Sequence, residues 1–386
     1  MSGDSRDDAL AVALDVSAVP DRPVGAGRYV VELARALGAR TDCRLSLLAR
    51  RDDGARWASV APGERVVATA PSSRPARLFY EQARLASVVA GLASPAVKVH
   101  HGPHYTMPRR SRVPCVVTVH DLTFFDHPEW HEASKVRWFR AAIGYSAAHA
   151  AAIVCVSAMT AQRLHELLSP SCPVVVVPHG VDHARFTADE PRPGTDAEVL
   201  ERLGLERPYL LHLGTLEPRK GIADLVAAFD RLAGDDPTLE LVLAGGAGWK
   251  AGPVLAAVAG AHSRERIRRL GYVADGDVPA LLRRARAVVY PSLEEGFGLP
   301  ALEALGCGTP LVTTSGTPMA DVAGGTALLA APGEPLALAA AIEAVLSEDA
   351  GERERRRAEG LSIAARYSWE ACAEGHLAVY RTAAGT

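Results

Sequence analysis

Apolar residues in this chain follow two alternating rhythms. Short unbroken runs, bounded by charges, prolines or glycines, predict buried strands at residues 10–14, 44–49, 64–69, 97–101, 115–120, 153–157 and 174–177. Between them lie stretches whose apolar positions return every third or fourth residue. The first opens at Gly25-Ala-Gly27 and carries Val30, Val31, Ala34 and Leu37 on one helical face; others cover 75–92, 132–151 and 160–168. Apolar strands that alternate with helices imply a mostly parallel sheet wrapped by those helices.

The rhythm dissolves in Thr187-Ala-Asp-Glu-Pro-Arg-Pro-Gly-Thr195, where two prolines and a glycine among charges mark a linker. It resumes with strands at 209–213, 239–244, 267–270, 287–290 and 311–314. Helices fall at 221–232, 253–261, 278–284, 299–305 and 336–346, and the chain closes on helical stretches at 352–366 and 369–382. A length of 386 residues exceeds one ordinary core. The expected fold class is α/β, with two Rossmann-like, doubly wound domains facing each other across a cleft.

One stretch of the second half carries chemistry. Pro291-Ser-Leu-Glu-Glu-Gly-Phe-Gly-Leu-Pro-Ala-Leu-Glu303 sets Glu295 and Glu303 around a glycine-rich turn, with seven residues between them. A strand precedes the turn, and a helix follows with Pro300 near its first turn, where a missing N–H costs nothing. Strand, glycine turn and helix N-terminus together present free backbone amides to a phosphate. Glu303, early in the helix, is placed to accept both hydroxyls of a ribose. The combination implies a nucleotide-sugar site. Gly214-Thr-Leu-Glu-Pro-Arg-Lys-Gly221 likewise follows a strand and precedes a helix, so Arg219 and Lys220 fall at the carboxyl edge of the second sheet. Ligands bind at that edge in open α/β sheets. His120 ends a strand of the first half at the same kind of edge.

Composition narrows the function class. Apolar content of 48% and charged content of 23% belong to a soluble globular protein, and a net charge of −3 gives no global pull toward nucleic acid. The basic run Arg109-Arg-Ser-Arg112 lacks interleaved aromatics and reads as a solvated loop, so no nucleic-acid partner is expected. None of the six cysteines forms a CxxC pair, and several lie inside apolar runs, which favours a reducing compartment. The polar start Met1-Ser-Gly-Asp-Ser-Arg-Asp-Asp, followed by an apolar run that Asp15 interrupts, does not read as a signal peptide. No stretch approaches the length that spans a bilayer. The expected location is cytoplasmic. Between Arg74 and Arg140 ten Lys/Arg face five Asp/Glu, with Trp130, Trp138 and Phe139 nearby. Peripheral contact with an anionic inner membrane face and a merely solvated basic face both stay open.

Six phrases in order connect these residues to a known family. They are Val119-His-Asp-Leu-Thr-Phe-Phe, Val177-Pro-His-Gly-Val-Asp182, Leu213-Gly-Thr-Leu-Glu-Pro-Arg-Lys-Gly221, Leu270-Gly-Tyr-Val, Glu295-Gly-Phe-Gly-Leu-Pro and Cys307-Gly-Thr-Pro-Leu-Val. The chain resembles, from Gly25 to Tyr380, the retaining GT-B glycosyltransferases of family 4, with their E-x7-E signature. The resemblance implies an acceptor-side domain at 1–186, a nucleotide-sugar domain at 187–366, and a C-terminal helix at 367–386 crossing back to the first domain.

It also implies roles. Arg219 and Lys220 would neutralise the diphosphate, and Glu295 would face the donor sugar or its phosphate. The backbone of Gly214, Gly296, Phe297, Gly298 and Leu299 would contact sugar or phosphate, while Glu303 holds the ribose. His120 would border the transferred sugar, and Asp121 would orient its ring or cap the next turn. Gly25 and Gly27 would form the glycine loop near diphosphate and acceptor, with Arg28 beside it; Val30 stands where a dinucleotide fingerprint requires its third glycine. His101 and His104 would line the acceptor side or simply fill a loop. Ser157 marks a helix start. Thr215 stands where many members carry an arginine, so that role passes to Arg219 or is lost.

The resemblance implies transfer with retention by front-face displacement, the leaving phosphate taking the acceptor hydroxyl's proton. No second carboxylate flanks the bond, because ribose occupies Glu303. Asp275-Gly-Asp277 looks like a metal-binding DxD, but Asp277 before Val278-Pro-Ala reads as a helix N-cap. The expectation is a metal-independent hexosyltransferase without cofactor. Its donor would be a nucleotide diphosphate-sugar, GDP-mannose first, and its acceptor a glycan or lipid-linked glycan. A non-catalytic nucleotide-sugar-binding subunit of a glycan assembly complex and a GT-B-like sugar epimerase are the alternatives.

Overall fold

The apolar runs become strands in two separate sheets. The computed structural model describes residues 9–92, 96–248 and 250–385; the polar start Met1–Asp8 lies outside them. The chain divides into two compact units, residues 1–180 with 369–386, and residues 181–368.

The first unit holds β1 (Leu10–Asp15), β2 (Cys43–Arg50), β3 (Arg65–Ala70), β4 (Val99–Gly102), β5 (Cys115–Val119), β6 (Ala152–Cys155) and β7 (Val174–Val176). They form one sheet in the order β3-β2-β1-β4-β5-β6-β7, with every neighbouring pair parallel. Strand order reverses between β1 and β4, which places a topological switch point beside Asp15 and Gly102. A single helix expected over 75–92 is instead two, Arg74–Ala83 and Leu85–Ala90. The break re-aims Leu85 and Val89 into a cluster with Ala13, Leu48 and Val97, while Phe79 on the first segment stays exposed.

The C-terminal helix Trp369–Ala384 packs within this unit through fully buried Leu377 and a polar chain. His376 Nδ1 donates to the Cys372 carbonyl (2.8 Å), which fixes its Nε2 as an acceptor. The Tyr29 hydroxyl therefore donates to that nitrogen (2.8 Å) and accepts from Thr118 (2.9 Å). Thr118 accepts in turn from His101 Nε2 (2.8 Å), and His101 Nδ1 accepts from Tyr380 (2.7 Å). One carbonyl thus sets every proton along five buried side chains.

The second unit holds β8 (Tyr209–Leu213), β9 (Glu240–Ala244), β10 (Ile267–Gly271), β11 (Ala287–Tyr290), β12 (Leu311–Thr314) and β13 (Leu328–Ala330). Their order is β10-β9-β8-β11-β12-β13, again all parallel, with the switch point between β8 and β11. Strand β13 was not expected: unlike the equally short β7, which is three valines, Leu328-Leu-Ala330 carries no β-branched residue to mark a strand. Helices Ile222–Leu232 and Pro335–Leu346 press Leu225, Phe229, Leu338 and Ile342 onto Leu241, Leu243, Val289 and Val312. Each such side chain contributes about 1.5–3 kcal/mol on burial. Helix Thr195–Leu203 follows directly on the proline-rich stretch read as a linker.

No helix among the described residues is long and apolar enough to cross a membrane. All six cysteines are free, five of them buried.

Burial holds His101 well below the ordinary histidine value and lowers His376 to about 4, so both are neutral in the folded chain. The unfolded chain protonates them below about pH 6.5. Stability from these groups is therefore complete above that pH and is lost as pH falls toward the folded values, by roughly 1.4 kcal/mol per pH unit per histidine at most. The thermal midpoint should hold from pH 7.5 to about 6.5 and then fall toward pH 5.0; a flat profile over the whole range would contradict the buried neutral chain.

Candidate active site

Two loops leave the carboxyl ends of the adjacent strands β8 and β11 at the switch point of the second sheet. The first passes Gly214 and makes one tight turn over Pro218–Lys220. It then enters helix Ile222–Leu232 through Gly221 at φ 63°. The second runs from Pro291 to Gly298 (φ 112°), the N-cap of helix Leu299–Gly306. The Leu293 amide donates to the Arg219 carbonyl (2.9 Å). A Cβ on Gly221 would stand 1.9 Å from the Pro291 carbonyl oxygen, so only glycine fits there.

The contact brings the charges together. Lys220 Nζ donates to Glu295 Oε1 (2.5 Å), and Ser292 Oγ donates to the same oxygen (2.7 Å). Arg219 Nη1 lies 4.0 Å from Glu295 Oε2, while its Nε donates to Glu217 (2.9 Å). The Thr215 hydroxyl also donates to Glu217 (3.1 Å), so Thr215 and Arg219 are gathered on one carboxylate. Burial pushes the Glu295 carboxyl up, but Lys220, Arg219 and the hydrogen bonds together hold it below the ordinary range. Glu303 is buried in the helix after the turn, and Phe297 packs edge-on to Tyr367.

Gly214, Arg219, Lys220, Glu295, Gly296, Phe297, Gly298, Leu299 and Glu303 thus all lie in the second unit, on these two loops and the helix that follows. Ser292 and Glu217, which steer the charged pair, were not anticipated. Nor were two groups at the ends of the strands themselves. His212 Nδ1 donates to the Val289 carbonyl (3.0 Å), leaving its buried Nε2 with no partner among the described residues, as is the Tyr290 hydroxyl. Burial and, less strongly, the Lys220 charge hold His212 at about 4, against the Val289 hydrogen bond and the Glu295 charge, which raise it. Both residues read in sequence as ordinary members of apolar strands, which hid them.

His120, Gly25 and Gly27 lie in the first unit. His120 Nε2 donates to the Pro103 carbonyl (2.8 Å), which leaves Nδ1 as the acceptor face of the ring. Asp121 accepts from the amide (3.2 Å) and hydroxyl (2.8 Å) of Thr123, so it caps the next turn. Gly25, at φ 51°, precedes helix Ala26–Gly38, and Gly27 sits in its first turn against Pro20 and Pro23. His101 is committed to the buried chain through Thr118 and Tyr380. Ser157 accepts from the Thr160 amide as a helix cap (3.1 Å).

Asp277 departs from expectation. It occupies the N-cap position, but its φ of −90° and ψ of −18° keep the carboxylate from the helix amides. It pairs with Arg202 instead (2.6 Å). Among the described residues no group of three His, Cys, Asp or Glu side chains converges as a metal site would require.

Two parallel, doubly wound α/β units, with a cation–carboxylate cluster at the switch point of the second, define the GT-B class of glycosyltransferases. Comparisons with known proteins agree. Residues 23–185 match the family described as Glycosyltransferase Family 4, and residues 199–361 match Glycosyl transferases group 1. The chain is 34% identical over 286 residues to O-antigen chain mannosyltransferase B of Escherichia coli, covering 73% of this chain and 74% of that protein. It is 32% identical over 276 residues to a glycogen synthase of Mycobacterium tuberculosis, covering 70% and 64%. In fold it is similar to sucrose-phosphate synthase from Thermosynechococcus elongatus (TM-score 0.76, 20% identity, 96% and 98% covered). It is also similar to Anabaena Alr3699/HepE in complex with UDP and glucose (TM-score 0.72, 19% identity, 96% and 98% covered). The chain belongs to the family 4, group 1 glycosyltransferases, and mannosyltransferases are among its homologues.

Two substitutions test this geometry. Gly221→Ala should destabilise the protein by more than about 2 kcal/mol in denaturant unfolding, because positive φ and the Pro291 carbonyl act together. Lys220→Ala leaves Glu295 buried without its hydrogen-bonded counter-charge and should cost about 3 kcal/mol. Adding Glu295→Gln should recover part of that loss. A double-variant cost equal to the sum of the Lys220→Ala and Glu295→Gln single costs would show that the pair is not coupled.

Proposed function

We propose that the protein transfers a sugar from a nucleotide diphosphate-sugar, GDP-mannose first, to a glycan or lipid-linked glycan acceptor, with retention and without a metal. The observation that carries this reading is the Lys220–Glu295 pair with Arg219 at the switch point of the second sheet. A departing nucleoside diphosphate develops about two negative charges, and catalysis consists largely of having cations and N–H donors fixed where that charge appears. Arg219 and Lys220 are fixed by carboxylates before any ligand arrives, so little reorganisation is needed. The amides of Gly296, Phe297 and Gly298 continue the donor set, and Glu303 takes the ribose hydroxyls.

In this reading the role of His120, whose Nδ1 is left as an acceptor, is to take a hydroxyl of the transferred sugar. The leaving phosphate itself accepts the proton of the acceptor hydroxyl on the face it departs from, so no second carboxylate is needed. The choice of mannose rests on the E. coli mannosyltransferase similarity, which covers about three quarters of each chain. No cofactor enters the scheme. The cytoplasm is the compartment that supplies such donors.

The test is transfer from GDP-, UDP- and ADP-sugars to a glycan acceptor, with the product anomer read by NMR. Lys220→Ala should lower kcat/KM about a hundredfold or more. Glu303→Ala should act mainly on the donor KM. Nucleotide binding without turnover would point to a binding subunit, and sugar release without acceptor to an epimerase. Absence of both binding and turnover with every nucleotide would sink the donor site.

A further inference from the structure

The first unit carries a cleft that none of the foregoing uses. It has a volume of about 280 Å³ and lies between the start of helix Arg74–Ala83 and the start of helix Ala133–His149. Arg74, Pro75 and Leu78 line it from one helix; Glu132, Lys135 and Trp138 line it from the other.

The lining divides by chemistry. Trp138, Pro75 and Leu78 offer an aromatic and aliphatic wall, and the indole N–H of Trp138 makes no hydrogen bond although it is shut off from water. Lys135 and Glu132 pair at 2.8 Å on the rim, so their charges largely cancel. Arg74 is exposed, and among the described residues no carboxylate holds its guanidinium. One uncompensated cation therefore stands beside an aromatic wall and a polar pair.

The cleft also adjoins the carboxyl-end loops of the first sheet. The charges of Arg74 and Arg77 both act on His104, whose ring lies 5.7 Å from that of His120. His120 in turn contacts Tyr29 and Tyr105 edge-on.

From this we infer that the cleft binds a phosphorylated saccharide, the sugar ring against Trp138 and the phosphate on Arg74. The C–H face of a pyranose is apolar and slightly positive, which suits the negative face of an indole. Ring hydroxyls find the Glu132 carboxylate and the Lys135 ammonium. A guanidinium meets phosphate oxygens with two parallel hydrogen bonds. The occupant would be the acceptor end of the proposed transfer, and to that extent the inference rests on the proposed function. The same chemistry is offered by a free sugar phosphate and by a sugar joined through phosphate to a lipid.

Ligand-observed NMR with mannose 6-phosphate, in saturating GDP to fill the phosphate subsite of the second unit, tests the cleft. Saturable binding at millimolar concentration is expected, weakened about tenfold by Arg74→Ala and by Trp138→Ala, and retained by Trp138→Phe. Methyl mannoside and inorganic phosphate should each bind more weakly. Sedimentation with vesicles carrying a lipid-linked sugar phosphate distinguishes the lipid source, and either source supports the inference. Mannose 6-phosphate binding that is absent, or that is indifferent to Arg74→Ala and Trp138→Ala alike, or that inorganic phosphate equals in tightness, overturns it. So does sedimentation with phosphatidylglycerol vesicles lacking sugar that Trp138→Ala leaves unchanged. The GDP-induced thermal shift of the same samples separates the two readings. Sugar phosphate bound without any nucleotide response removes the transfer reading and leaves the cleft. The reverse removes the cleft alone.

Discussion

The contact of Gly221 with the Pro291 carbonyl, closed by the Leu293 amide on the Arg219 carbonyl, is the constraint on which the candidate site depends. Strands β8 and β11 are neighbours, so their loops start close together, but nothing in a parallel sheet obliges two loops to stay together. Backbone contact does. It leaves Lys220 within hydrogen-bond reach of Glu295 and brings Arg219 to the edge of an ion pair with the same carboxylate. Helix Leu299–Gly306 then starts where the second loop ends, with Glu303 five residues past Gly298.

The resulting electrostatics are those of a site in waiting. Glu295 is a buried carboxylate, and burial alone would favour its protonated form; two cations and Ser292 reverse that. Those cations are thereby kept in place and partly neutralised until a more strongly charged anion competes for them. Glu217 does the same for Arg219, with Thr215 as its second donor. An arginine directly after Gly214 is thus replaced by a threonine that helps steer Arg219. The first unit applies a different device: a run of hydrogen bonds from Cys372 to Tyr380, all buried, ties the last helix to β4, β5 and the first helix. A half-satisfied network of this kind would be worse than an apolar core, and its completeness allows His101 and His376 to be buried neutral.

Much of the fold was legible. Continuous apolar runs such as 287–290 and 115–119 carry their own signal because a parallel strand is buried on both faces. The site loops were legible too, since glycines and charges between a strand and a helix leave few other uses. Elements without a local mark were not: β13 is Leu328-Leu-Ala330 with no β-branched residue, and the break at Arg84 answers to the packing of Leu85 and Val89 rather than to any local residue preference. Asp277 shows the same limit, since its residue type favours capping but its backbone angles forbid it. His212 and Tyr290 were invisible because a polar residue inside an apolar run carries no sign of which way it faces.

By itself, the sequence determined that this is an α/β chain of two parallel-sheet units. It also determined that Arg219, Lys220 and Glu295 stand on strand-to-helix turns of the second unit with Glu303 in the helix that follows, and that the phrases of family 4 run in order. These are local facts, written in periodicity, glycine placement and spacing. Tertiary structure alone decided which carboxylate each cation takes, which histidine nitrogen carries its proton, and that Arg74 and Trp138 line one cleft. Each of those depends on the approach of residues far apart in the chain, and such an approach is set by packing and backbone hydrogen bonds that no local pattern records.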